Sequence, residues 1–87
     1  MITYTNRTFD KAYAKLPKRL QQRFKDRRNI FLLNPFDPIL DNHPLHPPYT
    51  GCRSINITGD YRAIFYHEAT GAVRFILIGT HHELFGT

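Results

Sequence analysis

The chain has 87 residues and a single cysteine, Cys52, which predicts one small domain over residues 1–87 and excludes an internal disulfide or a cysteine-based metal site. Hydrophobic residues make up 41% of the chain, which excludes a disordered tail. No apolar run is long enough to span a bilayer, and the N-terminal residues do not resemble a signal peptide, so we expect a cytoplasmic protein. Its net charge is +5, but residues 1–28 hold nine of the twelve Lys and Arg residues and two acidic ones, a balance of +7 that predicts an acidic or polyanionic partner.

The N-terminal part of the chain predicts one strand and a pair of helices. Residues 2–5 (ITYT) alternate and are β-prone, which indicates a first strand. A first helix has an apolar stripe at helical spacing, made of Phe9, Tyr13 and Leu16. Pro17 is expected to open a second helix, because proline is tolerated in a first helical turn. The stripe of that helix consists of Leu20, Phe24, Ile30, Phe31 and Leu33, and Asn34-Pro35 ends it.

A proline-rich loop follows the two helices. Residues 34–50 contain five of the six prolines, so we expect an extended, stiffened loop with no regular element. A loop of this length in a small domain is usually functional. It carries His43 and His46, which are either ordinary surface histidines or imidazoles that the stiff loop holds in place.

The C-terminal half predicts three consecutive antiparallel strands. They cover residues 51–57, 61–67 and 73–78, with short turns between them. Both faces of the middle strand are largely apolar, so it should lie centrally and be covered on both sides. The helix pair can cover only one face. The proline loop and the C-terminal segment must then close the other, which would bring His43 near His81.

His81 leaves the last predicted strand at the point where its apolar run ends. The pKa of histidine lies near neutrality, so a histidine at a strand exit can donate a proton, accept one or bind a metal. The alternative is that His81 and His82 form a surface pair without a task. A zinc site of His43, His46 and His81 is a weak possibility because no helical pair at the usual spacing is present, so we expect neither metal nor cofactor.

Three segments resemble the toxins of bacterial type II toxin–antitoxin systems in the RelE/ParE superfamily, and the YafQ-like branch in particular. They are residues 51–57 (GCRSINI), 59–65 (GDYRAIF) and 78–86 (IGTHHELFG), with His-Pro-Leu at 43–45 before them. The resemblance covers essentially the whole chain. It implies an α+β RelE-like fold in which an N-terminal strand and a two-helix hairpin pack on a small antiparallel sheet, with a short C-terminal helical turn.

The resemblance also implies a function, that of a ribosome-dependent, metal-independent endoribonuclease that cuts translated mRNA. Residues on functional positions of the family are His43, Asp60, Arg62, His81 and Phe85. Metal-free RNA cleavage needs a base, an acid and a cation. We therefore expect His81 to be the acid, His43 or Asp60 the base or the group that orients it, and Arg62 the phosphate ligand. Phe85 should stack on a nucleobase.

Two positions depart from the YafQ-like pattern, and we expect both to contact substrate. Asn56 stands in place of a histidine and Tyr61 in place of a tryptophan. Asn56 cannot carry a proton, so the sequence leaves the division of acid and base roles open.

The implied partners are a cognate antitoxin and mRNA on the ribosome, with DNA contacted only through the antitoxin. Two other functions stay open, a ParE-like inhibitor of DNA gyrase and a basic RNA- or ribosome-binding module without catalysis. The histidines favour the nuclease, because the binding module would leave them without a role.

Overall fold

Five strands form one mixed sheet in the computed structural model, which describes residues 1–86. They are β1 (Ile2–Thr5), β2 (His43–Pro44), β3 (Arg53–Asn56), β4 (Tyr61–Ala69) and β5 (Ala72–Thr80), and they lie in the order β1-β5-β4-β3-β2. Strand β4 is central, as the sequence predicts. The pairs from β2 to β5 are antiparallel, whereas β1 joins the sheet parallel to β5. Such a parallel pair requires a crossover, and here the crossover includes every element that lies between β1 and β5 in the sequence.

Three α-helices accompany the sheet, namely α1 (Arg7–Ala14), α2 (Lys18–Leu33) and α3 (His81–Phe85). The Asn6 side chain caps α1 by accepting a hydrogen bond of 2.8 Å from the Phe9 N–H. Pro17 immediately precedes α2, as predicted, and its carbonyl oxygen accepts the N–H groups of Leu20 and Gln21. No helix within residues 1–86 is long and apolar enough to cross a bilayer.

The helix pair α1–α2 packs on one face of the sheet through a cluster of aromatic rings. The ring of Phe75 in β5 lies 5.3 Å from that of Phe24, 5.8 Å from that of Phe31 and 5.4 Å from that of Phe65. These rings are all buried, so the predicted stripes of both helices form the core. Leu33 is the exception. It is the last residue of α2 and is 90% exposed.

The prediction that the proline-rich segment lacks regular structure is wrong. It contains a 3-10 helix, Pro38–Leu40, and the short strand β2. The side chain of Asp37 begins the 3-10 helix by accepting the Ile39 N–H at 3.0 Å, and Leu40 is fully buried in the core. A proline fits in β2 because that strand is at the edge of the sheet, where an N–H group is not required. The prolines therefore bend the chain between short elements without abolishing them.

Candidate active site

A groove of about 610 Å³ lies on the side of the sheet away from α1 and α2. The proline-rich segment forms one wall, α3 forms another, and Ser54 of β3 and Arg62 of β4 contribute from the sheet. Its lining residues are Asp41, His43, Leu45, His46, Pro47, Pro48, Tyr49, Ser54, Arg62, His81, Leu84 and Phe85. The sequence-based expectation that this face brings His43 and His81 to one site is therefore met. His46 joins them at the same groove.

His43 is half-buried at the start of β2, where its Cα pairs with that of Ser54. Its ring nitrogen Nδ1 lies 2.6 Å from the carbonyl oxygen of Asp41 and 3.7 Å from the Asp41 carboxylate. The imidazole is thus fixed through one nitrogen by the backbone two residues earlier. Sequence reasoning missed Asp41. The contact is made by a backbone carbonyl, which every residue has, so the sequence offered no signal for it.

His81 begins α3 directly after β5 ends at Thr80. Its N–H donates to the carbonyl oxygen of Asp60 at 2.9 Å, which ties the helix start to the turn between β3 and β4. The imidazole lies 4.9 Å from the ring of Phe85, one helical turn later, as measured between ring centroids. The short helix therefore presents an imidazole and an aromatic ring to the groove together.

A reciprocal capping box holds the beginning of α3. The Thr80 hydroxyl accepts the Glu83 N–H at 3.1 Å, and the Glu83 carboxylate accepts the Thr80 N–H at 2.8 Å. The hydrogen bond from the Thr80 backbone N–H, with a further one from the Thr80 side chain, holds the pKa of the Glu83 carboxyl below its ordinary value. Sequence reasoning missed the Thr-x-x-Glu pattern at 80–83, although it is a recognisable signal for a helix start.

Arg62 is oriented by the turn that precedes it. Its Nη1 donates to the carbonyl oxygens of Thr58, Gly59 and Tyr61 at 3.0, 3.2 and 3.1 Å. Nε and Nη2 make no hydrogen bond within residues 1–86. Within residues 1–86, Arg62 is also the only Lys or Arg residue that lines the groove. A guanidinium held in this way can present its remaining N–H groups to a phosphate.

Tyr49 connects the two walls of the groove. Its hydroxyl donates to the carbonyl oxygen of Leu84 at 2.8 Å, and its ring meets that of Phe85 edge-on at 5.8 Å. The side chains of Tyr49 and Phe85 together form an apolar, aromatic wall beside the histidines of the groove, and such a wall suits a nucleobase. Sequence reasoning missed Tyr49, since nothing in the local pattern links it to residues 35 positions later.

Three of the predicted site residues do not line the groove. Asp60 is an exposed turn residue whose backbone, rather than its carboxylate, makes the contacts. Asn56 pairs with Arg62 across β3 and β4, and its buried Oδ1 has no hydrogen-bond partner. Tyr61 is half-buried and packs against the aromatic core on the helix side. Among residues 1–86 no group of three His, Cys, Asp or Glu side chains could hold a metal ion.

The basic residues of α1 and α2 lie on the opposite side of the molecule from the groove, because those helices cover the other face of the sheet. Exposed residues of this basic surface are Arg7, Lys11, Lys18, Arg19, Arg23 and Lys25. The candidate catalytic groups and most of the positive charge thus lie on separate surfaces of the molecule.

Solved structures share this fold from end to end. YafQ from E. coli strain BL21(DE3) is 24% identical, with a TM-score of 0.80 and coverage of 97% of each chain. A YoeB/ParE toxin from Agrobacterium tumefaciens is 19% identical, with a TM-score of 0.77 over 93% of this chain and 99% of the other. YafQ in the E. coli DinJ-YafQ toxin-antitoxin complex is 24% identical, with a TM-score of 0.76 over 97% of this chain and 96% of the other.

No model of a protein family and no curated protein sequence matches the chain. At the identities found among solved structures the likeness concerns the fold, and the chain has the RelE/YafQ-like toxin fold. The resemblance drawn from three short segments and their order is confirmed at that level.

Proposed function

We propose that this chain is the toxin of a type II toxin–antitoxin system and that it acts as an endoribonuclease on mRNA engaged by the ribosome. The observation that carries the proposal is the groove, which joins three histidines, an arginine and an aromatic wall in a fold shared with YafQ. These groups are a sufficient set for RNA cleavage without a metal. We therefore propose a cleavage step that uses no metal ion.

We assign one step of the reaction to each of three groove residues. His43 takes the proton of the ribose 2′-hydroxyl, and the 2′-oxygen attacks the adjacent phosphorus. Arg62 stabilises the charge that accumulates on the phosphate oxygens, and His81 donates a proton to the 5′-oxygen as its bond to phosphorus breaks. The products are a 2′,3′-cyclic phosphate and a 5′-hydroxyl end.

Other residues support these steps. Phe85, together with Tyr49, stacks on a base next to the scissile bond, as aromatic side chains commonly do with single-stranded RNA. Asp60 contributes through its carbonyl oxygen, which holds the His81 N–H, and we therefore favour His43 over Asp60 as the base. Asn56 and Tyr61 have no direct RNA contact in this proposal because neither lines the groove.

A cognate antitoxin is the second partner we propose. The E. coli toxin with this fold has been crystallised with DinJ, in a structure described as a toxin-antitoxin complex. The basic surface on α1 and α2 suits an acidic antitoxin segment or ribosomal RNA. Any DNA contact of such a complex would come through the antitoxin.

The deciding experiment is a short pulse of expression in bacteria, followed by mapping of new mRNA 5′ ends within minutes. Wild type is compared with His81→Ala and with His82→Ala, a matched control because His82 is an exposed neighbour outside the groove lining. We expect cuts at defined codon positions with wild type and His82→Ala, and none with His81→Ala.

Other outcomes would support other functions. Growth arrest with intact mRNA and damaged or relaxed DNA would indicate a gyrase inhibitor instead of a nuclease. Slowed translation without cleavage, equal in the wild type and the two variants, would indicate a ribosome-binding module. Cuts that persist in His81→Ala would refute the role given to that histidine.

A further inference from the structure

His43 contacts the backbone through a ring nitrogen in a way that fixes its tautomer. A carbonyl oxygen can only accept a hydrogen bond, so Nδ1, at 2.6 Å from the Asp41 carbonyl, carries the hydrogen. In the neutral imidazole the lone pair is then on Nε2. That nitrogen is the one able to accept a proton.

The turn that supplies this carbonyl adopts an unusual backbone conformation. Asp41 has φ 47° and ψ 48°, and it is the one non-glycine residue with positive φ in residues 1–86. For most residues this left-handed conformation costs about 1–2 kcal/mol, and Asp and Asn adopt it more readily than others. Such strained residues concentrate at functional sites.

Neighbouring contacts hold Asp41 in place. Its N–H donates to the carbonyl oxygen of Pro38 at 3.3 Å, which closes the 3-10 helix, and the adjacent Leu40 is fully buried. On the other side, Asn42 is held by Arg53, whose Nε donates to the Asn42 Oδ1 at 2.7 Å. The carbonyl group that accepts the hydrogen bond from His43 is therefore part of a firmly anchored turn.

We propose that Asp41 is a positioning residue for the reaction proposed above. Its carbonyl holds His43 as the tautomer with hydrogen on Nδ1, so that Nε2 can receive the 2′-hydroxyl proton. Its carboxylate, 3.7 Å from Nδ1, forms an ion pair with the imidazolium that this proton transfer creates. The role of Asp41 in catalysis rests on the proposed nuclease function, but the tautomer of His43 can be measured independently of that function.

The test is NMR of the protein labelled with ¹⁵N in histidine, at a pH where His43 is neutral. The two ring-nitrogen shifts distinguish a nitrogen that bears hydrogen from one that bears a lone pair, and His43→Gln identifies the signals. Wild type should show hydrogen on Nδ1. Hydrogen on Nε2 in the wild-type protein would overturn the proposal, whatever the enzymatic activity.

Three variants separate the carbonyl from the carboxylate. Asp41→Gly and Asp41→Asn allow the left-handed backbone but lack the carboxylate, so both should keep hydrogen on Nδ1. Asp41→Val disfavours that backbone and should shift His43 toward hydrogen on Nε2. The control is Asp37→Ala, which removes the side-chain cap at the other end of the same 3-10 helix and leaves residue 41 as Asp, so it should keep the wild-type tautomer. An unchanged tautomer in a folded Asp41→Val protein would also overturn the proposal.

Cleavage kinetics on mRNA engaged by the ribosome complete the test. A general base contributes about 10²–10⁴-fold, so the misplaced base of Asp41→Val should lower kcat by roughly tenfold to a hundredfold with little change in KM. Loss of RNA cleavage in all proteins, wild type included, together with the expected tautomer, would refute the nuclease while leaving the His43 geometry established. Cleavage by a wild-type protein with the opposite tautomer would refute only the role of Asp41.

Discussion

The hydroxyl of Tyr49 donates a hydrogen bond to the carbonyl oxygen of Leu84, 2.8 Å away and 35 residues later in the chain. This bond joins the proline-rich segment to α3, and the ring of Tyr49 also meets that of Phe85 edge-on. Since Phe85 in turn contacts His81, a loop residue helps to define where the proposed general acid lies.

The first prediction concerns that link. Tyr49→Phe keeps the ring contact but removes the donor, so it should lower the free energy of unfolding by about 1 kcal/mol, the usual net value of one hydrogen bond. RNA cleavage should fall by a few-fold, and Tyr49→Ala should reduce it much further because the aromatic wall is removed. The measurements are urea denaturation and cleavage rates.

Tyr4→Phe is the matched control for this change. Tyr4 lies on β1, outside the groove lining, and its ring stacks with Arg74 in a way that phenylalanine preserves. The control should behave as wild type. Equal activities of Tyr49→Phe and Tyr49→Ala would show that the hydroxyl, not the ring, carries the effect.

The second prediction concerns the capping box of α3. Because the pKa of Glu83 is lowered in the folded protein, ionised Glu83 contributes stability that is present at neutral pH. This contribution should disappear as the pH falls past the ordinary glutamate pKa of about 4.3 and then through the lower folded value. Glu83→Gln should thus be less stable than wild type at pH 7 and nearly equal to it at the acid end.

The difference between the two proteins is the quantity to measure, by chemical denaturation at several pH values. Glu68, whose pKa is lowered by its ion pair with Arg74, is present in both proteins and cancels in this difference. A stability difference that grows toward acid pH would contradict the assignment. Thr80→Ala, which removes the other half of the box, should cost about 1 kcal/mol at neutral pH.

The third prediction uses a glycine beneath α3. A Cβ added at Gly79 would meet the Glu83 Oε1 at 3.3 Å and the Leu84 Cδ2 at 3.5 Å, so Gly79→Ala should displace the capping carboxylate and weaken RNA cleavage. Gly59→Ala is the control, because a Cβ there meets no atom within 4 Å. Cleavage rates and thermal unfolding should change for Gly79→Ala alone, and equal effects at the two sites would refute this view of the packing.

Local patterns in the sequence predicted most of the fold. The stripes of α1 and α2 became the aromatic core because helical spacing directly encodes which side chains share a face. The parallel pairing of β1 with β5 was not predictable in that way, since it joins residues about 70 positions apart. The 3-10 helix was missed because proline density masked the capping signal of Asp37 and the apolar anchor Leu40.

The candidate site was predictable where residue type limits chemistry. His43, Arg62, His81 and Phe85, which the resemblance gave as functional positions, all line one groove. Asp41 and Tyr49 act through a backbone carbonyl and a long-range hydrogen bond, neither of which leaves a mark on residue spacing. Asp60 and Asn56 remain predicted functional residues, and both lie outside the groove lining.

The fourth prediction follows from the separation of charge and groove. Arg19 and Arg23 are exposed on α2, on the far side of the sheet from the groove, so the double change to Gln should leave the kcat of cleavage of ribosome-engaged mRNA unchanged. Affinity for ribosomes should fall, and its logarithm should depend less steeply on the logarithm of salt, by about 0.7–0.9 for each phosphate that the protein no longer neutralises. Ribosome sedimentation at several salt concentrations measures this slope. A loss of kcat equal to the loss of ribosome binding would place the basic surface in the substrate path, because one polyanion would then have to contact both faces of the sheet.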